Sequence, residues 1–151
     1  MINVRKAVLS DAEVIAENNV LLARESEGEQ LSFDMVLDGV KSVLLDDNKG
    51  FYLVAEQKNS IVGQLMITFE WSDWRNQMIW WLQSVYVKKP YRDSGVFTCL
   101  LQEIKKQAKH QNVSILRLYV FNQNEEAIKV YRKQGWKKGL YMVFQKDIST
   151  I

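Results

Sequence analysis

The chain has 151 residues, 47% hydrophobic and 25% charged, with 20 Lys+Arg against 18 Asp+Glu and a net charge of +2. This is the balance of an ordinary globular protein without the basic stripe of a nucleic-acid binder. One Cys and one His exclude a disulfide framework and a zinc site built from thiolate and imidazole clusters. A chain of this length buries about 70% of the surface its unfolded form exposes, so residues 1–151 are read as one domain. The opening Met1-Ile2-Asn3-Val4-Arg5-Lys6 lacks the apolar region of a signal peptide, and no window reaches the ~18 apolar residues of a membrane span. A cytoplasmic location is expected, with neither membrane nor nucleic acid as partner.

Ile2 to Val8 reads as a short extended start, and Ser10 with Glu13 as a capping box opening a helix that carries Val14, Ile15, Leu21 and Leu22. The Glu25 to Gln30 stretch interrupts it. Ser32 caps a second helix whose apolar residues, Phe33 to Leu44, recur at helical spacing until Asp46-Asp47-Asn48-Lys49-Gly50. Phe51 to Glu56 and Ile61 to Trp71 are β-rich runs joined by Lys58-Asn59-Ser60; after a turn at 72–76, Met78 to Val87 reads as a central strand. Val96, Phe97, Leu100, Leu101, Ile104 and Ala108 then mark one helix face, and Ile115 to Val120 returns to β character. Asn124 caps a last helix that Gly135 ends, and Trp136 to Asp147 closes with strand character. The order predicts a mixed α/β domain: a mostly antiparallel sheet, one parallel strand-helix-strand crossover and flanking helices.

The chemistry is expected at that crossover. Between the central strand and its helix lies Arg92-Asp93-Ser94-Gly95-Val96-Phe97, followed by Thr98. A glycine lets the backbone turn closely, and the free N–H groups opening the helix present the positive end of its dipole, a seat for phosphate. Arg92 adds a cation, Ser94 and Thr98 add hydroxyls, and the missing Gly-x-x-x-x-Gly-Lys-Ser/Thr excludes a nucleotide P-loop.

This segment resembles the acetyl-CoA signature of the Gcn5-related N-acetyltransferases, Arg/Gln-x-x-Gly-x-Gly/Ala after the central strand, with Phe97 standing where a small residue is usual. A second motif of that family, Asn-x-x-Ala-x-x-x-Tyr followed by Gly-Phe or similar, is matched by Asn124, Ala127 and Tyr131, then Gly135-Trp136. The resemblance spans essentially the whole chain in element order. It implies that the pantetheine arm of acetyl-CoA pairs with backbone at Val85, Tyr86 and Val87, with oxyanion donors among the N–H groups near Val85. It also implies that residues Arg92 to Thr98 hold the pyrophosphate, that Asn124 touches the CoA arm besides capping its helix, and that Tyr131 is the general acid for the departing thiolate.

No carboxylate stands on the central strand at Trp80-Trp81-Leu82-Gln83-Ser84, where family members with a dedicated base often carry Glu. Glu70, Glu25 and Glu27 remain as candidates, Glu70 first; each also reads as a solvated surface charge. A lysine side-chain amine needs roughly 4.6 kcal/mol to deprotonate at pH 7 against about 1 kcal/mol for an α-amine, which favours a less basic acceptor or a water-relayed base. Trp71, Trp74, Trp80 and Trp81 crowd the strand-turn-strand region. Of these, Trp71, Trp74 and Trp81 are candidates to wall the acceptor pocket, against a plain role in the core. Cys99 reads as a packed small residue and His110 as a surface partner of its helix dipole.

The expected activity is acetyl transfer from acetyl-CoA to a primary amine, on a small molecule or a peptide, by direct attack in a ternary complex and without a metal. The alternative is a catalytically silent CoA-binding or protein-interaction domain on the same scaffold. Paired protomers are a further expectation.

Overall fold

The computed structural model describes residues 1–150, and the chain falls into two compact units, Met1–Phe121 and a second beginning at Asn122. In the first, the β-rich runs form β1 (Asn3–Lys6), β2 (Phe51–Gln57), β3 (Ser60–Ser72), β4 (Gln77–Val87) and β5 (Leu116–Arg117). The amphipathic stretches form α1 (Ala12–Glu27), α2 (Phe33–Leu44) and α3 (Val96–His110). The strands make one sheet in the order β1-β2-β3-β4-β5, antiparallel except for the parallel β4–β5 pair. Parallel neighbours cannot be joined by a hairpin, and α3 supplies the crossover.

Side chains alternate between the two faces of a strand, and here the alternation assigns each face its own helices. Tyr52 and Val54 pack with Ala7, Ala12, Ile15, Ala16 and Val40, so α1 and α2 cover that face. The intervening Leu53, Leu65 and Ile67 are buried on the other face, with the Leu100, Leu101 and Ile104 stripe of α3. Gly63 fixes how closely α3 approaches: a Cβ there would stand 2.6 Å from Val96 Cγ1. Trp80, 2% exposed, meets Phe51 edge-on at 5.5 Å and belongs to this core.

Several sequence expectations shift at their edges. The residue before α1 is Asp11 rather than Ser10, and Leu9–Asp11 winds as a 3-10 turn. The Asp11 carboxylate accepts the Val8 N–H at 2.8 Å and two Arg5 nitrogens at 2.8 and 3.0 Å, a stronger arrangement than a hydroxyl cap. Glu25 does not interrupt α1; the helix runs to Glu27 and ends at Gly28, whose φ of +68° is the left-handed stop that glycine tolerates best. Ser32 caps α2 as expected, accepting from the Met35 N–H at 3.4 Å. The β character read over Ile115 to Val120 yields only the two residues of β5.

The second unit contains α4 (Glu125–Lys133), capped by Asn124, whose Oδ1 accepts the Ala127 N–H at 3.2 Å. Gly135, with φ of +90°, lets the chain turn back so that the Trp136 N–H reaches the Tyr131 carbonyl at 3.0 Å. The strand expected over Trp136 to Asp147 does not form: residues 136–150 make no ladder among the described residues. Strand propensity becomes a strand only where a neighbour takes up its N–H and C=O groups.

Candidate active site

The central strand is irregular where the expected chemistry lies. Gln64 of β3 faces Tyr86 of β4 and Met66 faces Gln83, so three β4 steps oppose two β3 steps and a bulge falls at Ser84–Val85. Ser84 adopts φ of +51°, a left-handed conformation that a residue with a Cβ holds only when its surroundings over-determine it. On the opposite edge, pairing with β5 covers only Trp80 with Leu116 and Trp81 with Arg117. Beyond that point, among the described residues, β4 has no ladder with β5 through Val85, Tyr86 and Val87. A bulged strand end with an open edge offers backbone donors and acceptors to an extended ligand.

That strand end leads into the glycine loop. A 3-10 turn at Lys89–Tyr91 is followed by Asp93 at φ +60° and Gly95 at φ +89°, which starts α3 at Val96. A Cβ on Gly95 would meet nothing within 4 Å, so the glycine is required by the backbone and the space beside it is open. The Cys99 N–H bonds the Gly95 carbonyl at 3.0 Å as the first rung of the α3 ladder, so the positive end of the helix dipole lies at the loop. The residues therefore fit a phosphate group at the head of α3. The Ser94 hydroxyl donates to the Tyr91 carbonyl; its only O–H serves the loop, and its oxygen remains an acceptor. Phe97 and Thr98 are half-buried in the first turn of α3.

Arg92 is held from two sides. Its Nε donates to the Val87 carbonyl at 2.8 Å and its Nη2 to Glu25 Oε1 at 2.7 Å, with the guanidinium carbon 5.3 Å from the centre of the Tyr86 ring. The Tyr86 hydroxyl donates to Glu25 Oε2 at 2.5 Å. Burial opposes the charge on Glu25, but its hydrogen bonds from Tyr86 and Arg92 prevail and hold the carboxyl below its usual range. Burial, reinforced by the Glu25 carboxylate, pushes the Tyr86 phenol up to about 12. The last turn of α1 is thereby tied to the end of β4 and to the glycine loop.

Further along the sheet, Glu70 of β3 accepts the Trp81 indole N–H at 2.7 Å and Arg117 Nη1 at 3.1 Å on each oxygen. The Trp81 N–H, with Arg117 beside it, holds the Glu70 carboxyl below the ordinary carboxylate range. Trp81 packs at 5.8 Å from the Tyr119 ring, and Gln83 Nε2 donates to Thr68 Oγ1 at 2.6 Å. Trp71 and Trp74 lie at the hairpin end, 57% and 86% exposed. Of the four tryptophans in this strand-turn-strand region, Trp81 joins the polar cluster, Trp80 is core, and the other two face solvent.

In the second unit, Tyr131 lies on α4 with its ring 6.1 Å from Trp136, and burial pushes its phenol up to about 12. Cys99 is half-buried and His110 ends α3 on the surface. No group of three His, Cys, Asp or Glu able to hold a metal ion occurs among the described residues.

Sequence reasoning located the loop and the helix cap but missed Glu25 as the partner of Arg92, Arg117 as the partner of Glu70, and the bulge itself. The first two pairs are 67 and 47 residues apart, and no local pattern joins them. Arg117 alone left a signal, a basic residue inside a β-rich run.

Comparison with known proteins follows the same lines. Residues 17–136 match the model of the Acetyltransferase (GNAT) family. The solved structure of a possible acetyltransferase from Clostridium difficile 630 is 39% identical, with a TM-score of 0.91 over 98% of both chains. A predicted acetyltransferase from Clostridium acetobutylicum, solved with acetyl-CoA, shares the fold at 20% identity, TM-score 0.78, over 97% of this chain and 96% of that one. Thialysine N-epsilon-acetyltransferase of Bos taurus is 31% identical over half of this chain, and the match spans 44% of the bovine protein. A family match that runs from within α1 through Trp136 takes in the bulged strand, the glycine loop and the capped helix together, and the chain belongs to the acetyltransferase (GNAT) family.

Proposed function

We propose that this protein transfers the acetyl group of acetyl-CoA to a primary amine, on a small molecule or a peptide, by direct attack in a ternary complex. The observation that carries the reading is the bulged end of β4, unpaired toward β5 and running directly into the Gly95 loop at the head of α3. The backbone of Val85, Tyr86 and Val87 would pair with the pantetheine arm, and the segment Arg92 to Thr98 at the head of α3 would hold the pyrophosphate. The proposal treats both compact units as one acetyltransferase domain; the family match crosses the boundary between them.

In this reaction the amine nitrogen attacks the thioester carbon, the C–S bond breaks, and the thiolate leaves as the amine loses a proton. Backbone N–H groups near Val85 would stabilise the oxyanion. Tyr131 is the proposed donor to sulfur. With its phenol near 12, complete transfer to a thiolate of ordinary basicity costs about 5 kcal/mol, so we assign it a hydrogen bond that offsets the developing charge. Glu70, held low by two donors, is a weak base; we propose that it orients Trp81 and Arg117 at the acceptor side, where Trp71 and Trp74 add aromatic surface. Proton removal from the amine then falls to water, which favours acceptors less basic than a free lysine side chain.

We place the protein in the cytoplasm, with neither nucleic acid nor membrane as partner; no described helix is long and apolar enough to cross a bilayer. We also propose a second copy of the chain as partner, because Leu140 and Phe144 of the second unit are 98% and 86% exposed.

Thermal unfolding with acetyl-CoA, CoA, ATP and NAD, each at one common concentration about a hundredfold above a micromolar Kd, tests the cosubstrate. Binding at that excess contributes about 2.7 kcal/mol, a rise of roughly 5–11 °C in Tm. A rise with acetyl-CoA and CoA alone, followed by amine-dependent thiol release, is the expected result. No rise with any of them would favour a silent scaffold.

A further inference from the structure

Gln64 stands in the middle of β3, fully buried, with polar partners on every side. Its Oε1 accepts from Asn18 Nδ2 at 3.0 Å, and its Nε2 donates to Asn19 Oδ1 at 2.8 Å and to the Ser84 carbonyl at 3.3 Å. Asn19 Nδ2 in turn donates to the Tyr52 hydroxyl at 3.3 Å, and the Tyr52 phenol engages the Ser84 side chain. Asn18 is as buried as Gln64, at 1% exposure. Side-chain amides placed this deep are costly unless every member is satisfied, and an apolar pair would fill the same gap between α1 and the sheet at less risk. The network therefore serves something that packing alone does not require.

What it holds is the bulge. In a trans peptide the C=O and the following N–H point in opposite directions. A hydrogen bond from Gln64 to the Ser84 carbonyl thus fixes where the Val85 N–H points: away from Gln64. It also helps to keep Ser84 at φ +51°, where an L-residue otherwise stays only at a cost of about 1–3 kcal/mol. We propose that Gln64, supported by Asn18, Asn19 and Tyr52, is a positioning residue that aims the Ser84–Val85 peptide so that the Val85 N–H meets the thioester oxygen. The inference rests on the acetyl-transfer reading for its use, but the orientation of the peptide can be tested without any turnover.

Two variants are compared with the native chain: Gln64→Met, which keeps volume and removes the donor to Ser84, and Tyr52→Phe, a milder loss at the edge of the same network that guards against a failure of the first to fold. The three-bond couplings between amide and Cα protons at Ser84 and Val85 report φ at each residue, and the Val85 value follows the tilt of the Ser84–Val85 peptide. In the native protein the Ser84 coupling should match the left-handed value, and in Gln64→Met one or both couplings should move toward those of a regular extended strand. Turnover at saturating amine should fall about 10- to 100-fold in Gln64→Met and by a smaller factor in Tyr52→Phe, with the CoA Kd rising by a smaller factor than kcat falls, because only the Val85 contact to the pantetheine arm shares the moved peptide and the pyrophosphate seat lies elsewhere. Ser84 and Val85 couplings both unchanged in both variants overturn the inference. So does a shifted coupling with unchanged kcat, or a uniform loss of CoA affinity and melting temperature with kcat per folded molecule intact. If the native protein turns over no amine while the coupling still responds to Gln64→Met, the acetyl-transfer reading fails and the Gln64 pin on Ser84 stands.

Discussion

Asp11 closes the first turn of the chain onto β1 by accepting from Val8 and from two nitrogens of Arg5, while the same guanidinium also reaches Glu56 on β2. The Arg5 hydrogen bond outweighs burial and holds the Asp11 carboxyl below its ordinary 3.8. A carboxyl depressed in the folded state contributes stability that is complete above its unfolded value and is lost as pH falls through the folded one. Asp11→Asn should therefore lower stability by about 1–3 kcal/mol near neutral pH, roughly 2–12 °C in Tm, and the deficit should shrink below pH 4. Thermal melts across pH 2–7 check both halves. At the same scale, Tyr131→Phe should reduce kcat by about 10²-fold and leave the KM for acetyl-CoA nearly unchanged; equal turnover in steady-state kinetics would remove Tyr131 from the reaction.

Among the elements, α3 depends on two glycines for different reasons. Gly63 admits the helix to the sheet, since a Cβ would reach to 2.6 Å of the buried and stiff Val96 side chain. Gly63→Ala should cost about 1–3 kcal/mol by overpacking, and by lifting the first turn of α3 should weaken CoA binding measured by calorimetry. Gly95 has open space around it, so Gly95→Val meets only the backbone penalty of a positive φ, about 1–3 kcal/mol. CoA binding should disappear while the circular dichroism of the native fold remains; retained binding would place the pyrophosphate elsewhere. α2 and α3 were legible in the sequence because their apolar residues repeat at helical spacing and a helix satisfies its own backbone. β5 and the segment after Trp136 were over-read, because strand character says nothing about whether a partner edge is present. The Ser84–Val85 bulge left no trace either: Met78 to Val87 reads as one uninterrupted strand, and the extra residue shows only against the register of β3.

For the molecule as a whole, the exposed Leu140 and Phe144 predict association. Light scattering should give twice the chain mass for the native protein and move toward one chain for the Leu140→Ser/Phe144→Ser double variant; a native monomer would refute the paired reading. The sequence by itself determined the Gly95 loop at the head of α3 and the Asn124 cap, because each follows from backbone demands within a few residues of chain, and the mixed α/β class with its crossover, because the order of elements restricts how strands and helices connect. Only the tertiary structure decided which charges and amides meet: Arg92 with Glu25, Glu70 with Arg117, and Gln64 with Asn18, Asn19 and Ser84. Those partners stand 20 to 67 residues apart. Their pairing depends on strand register and on which helix covers which face of the sheet, and both are set by packing of the whole chain.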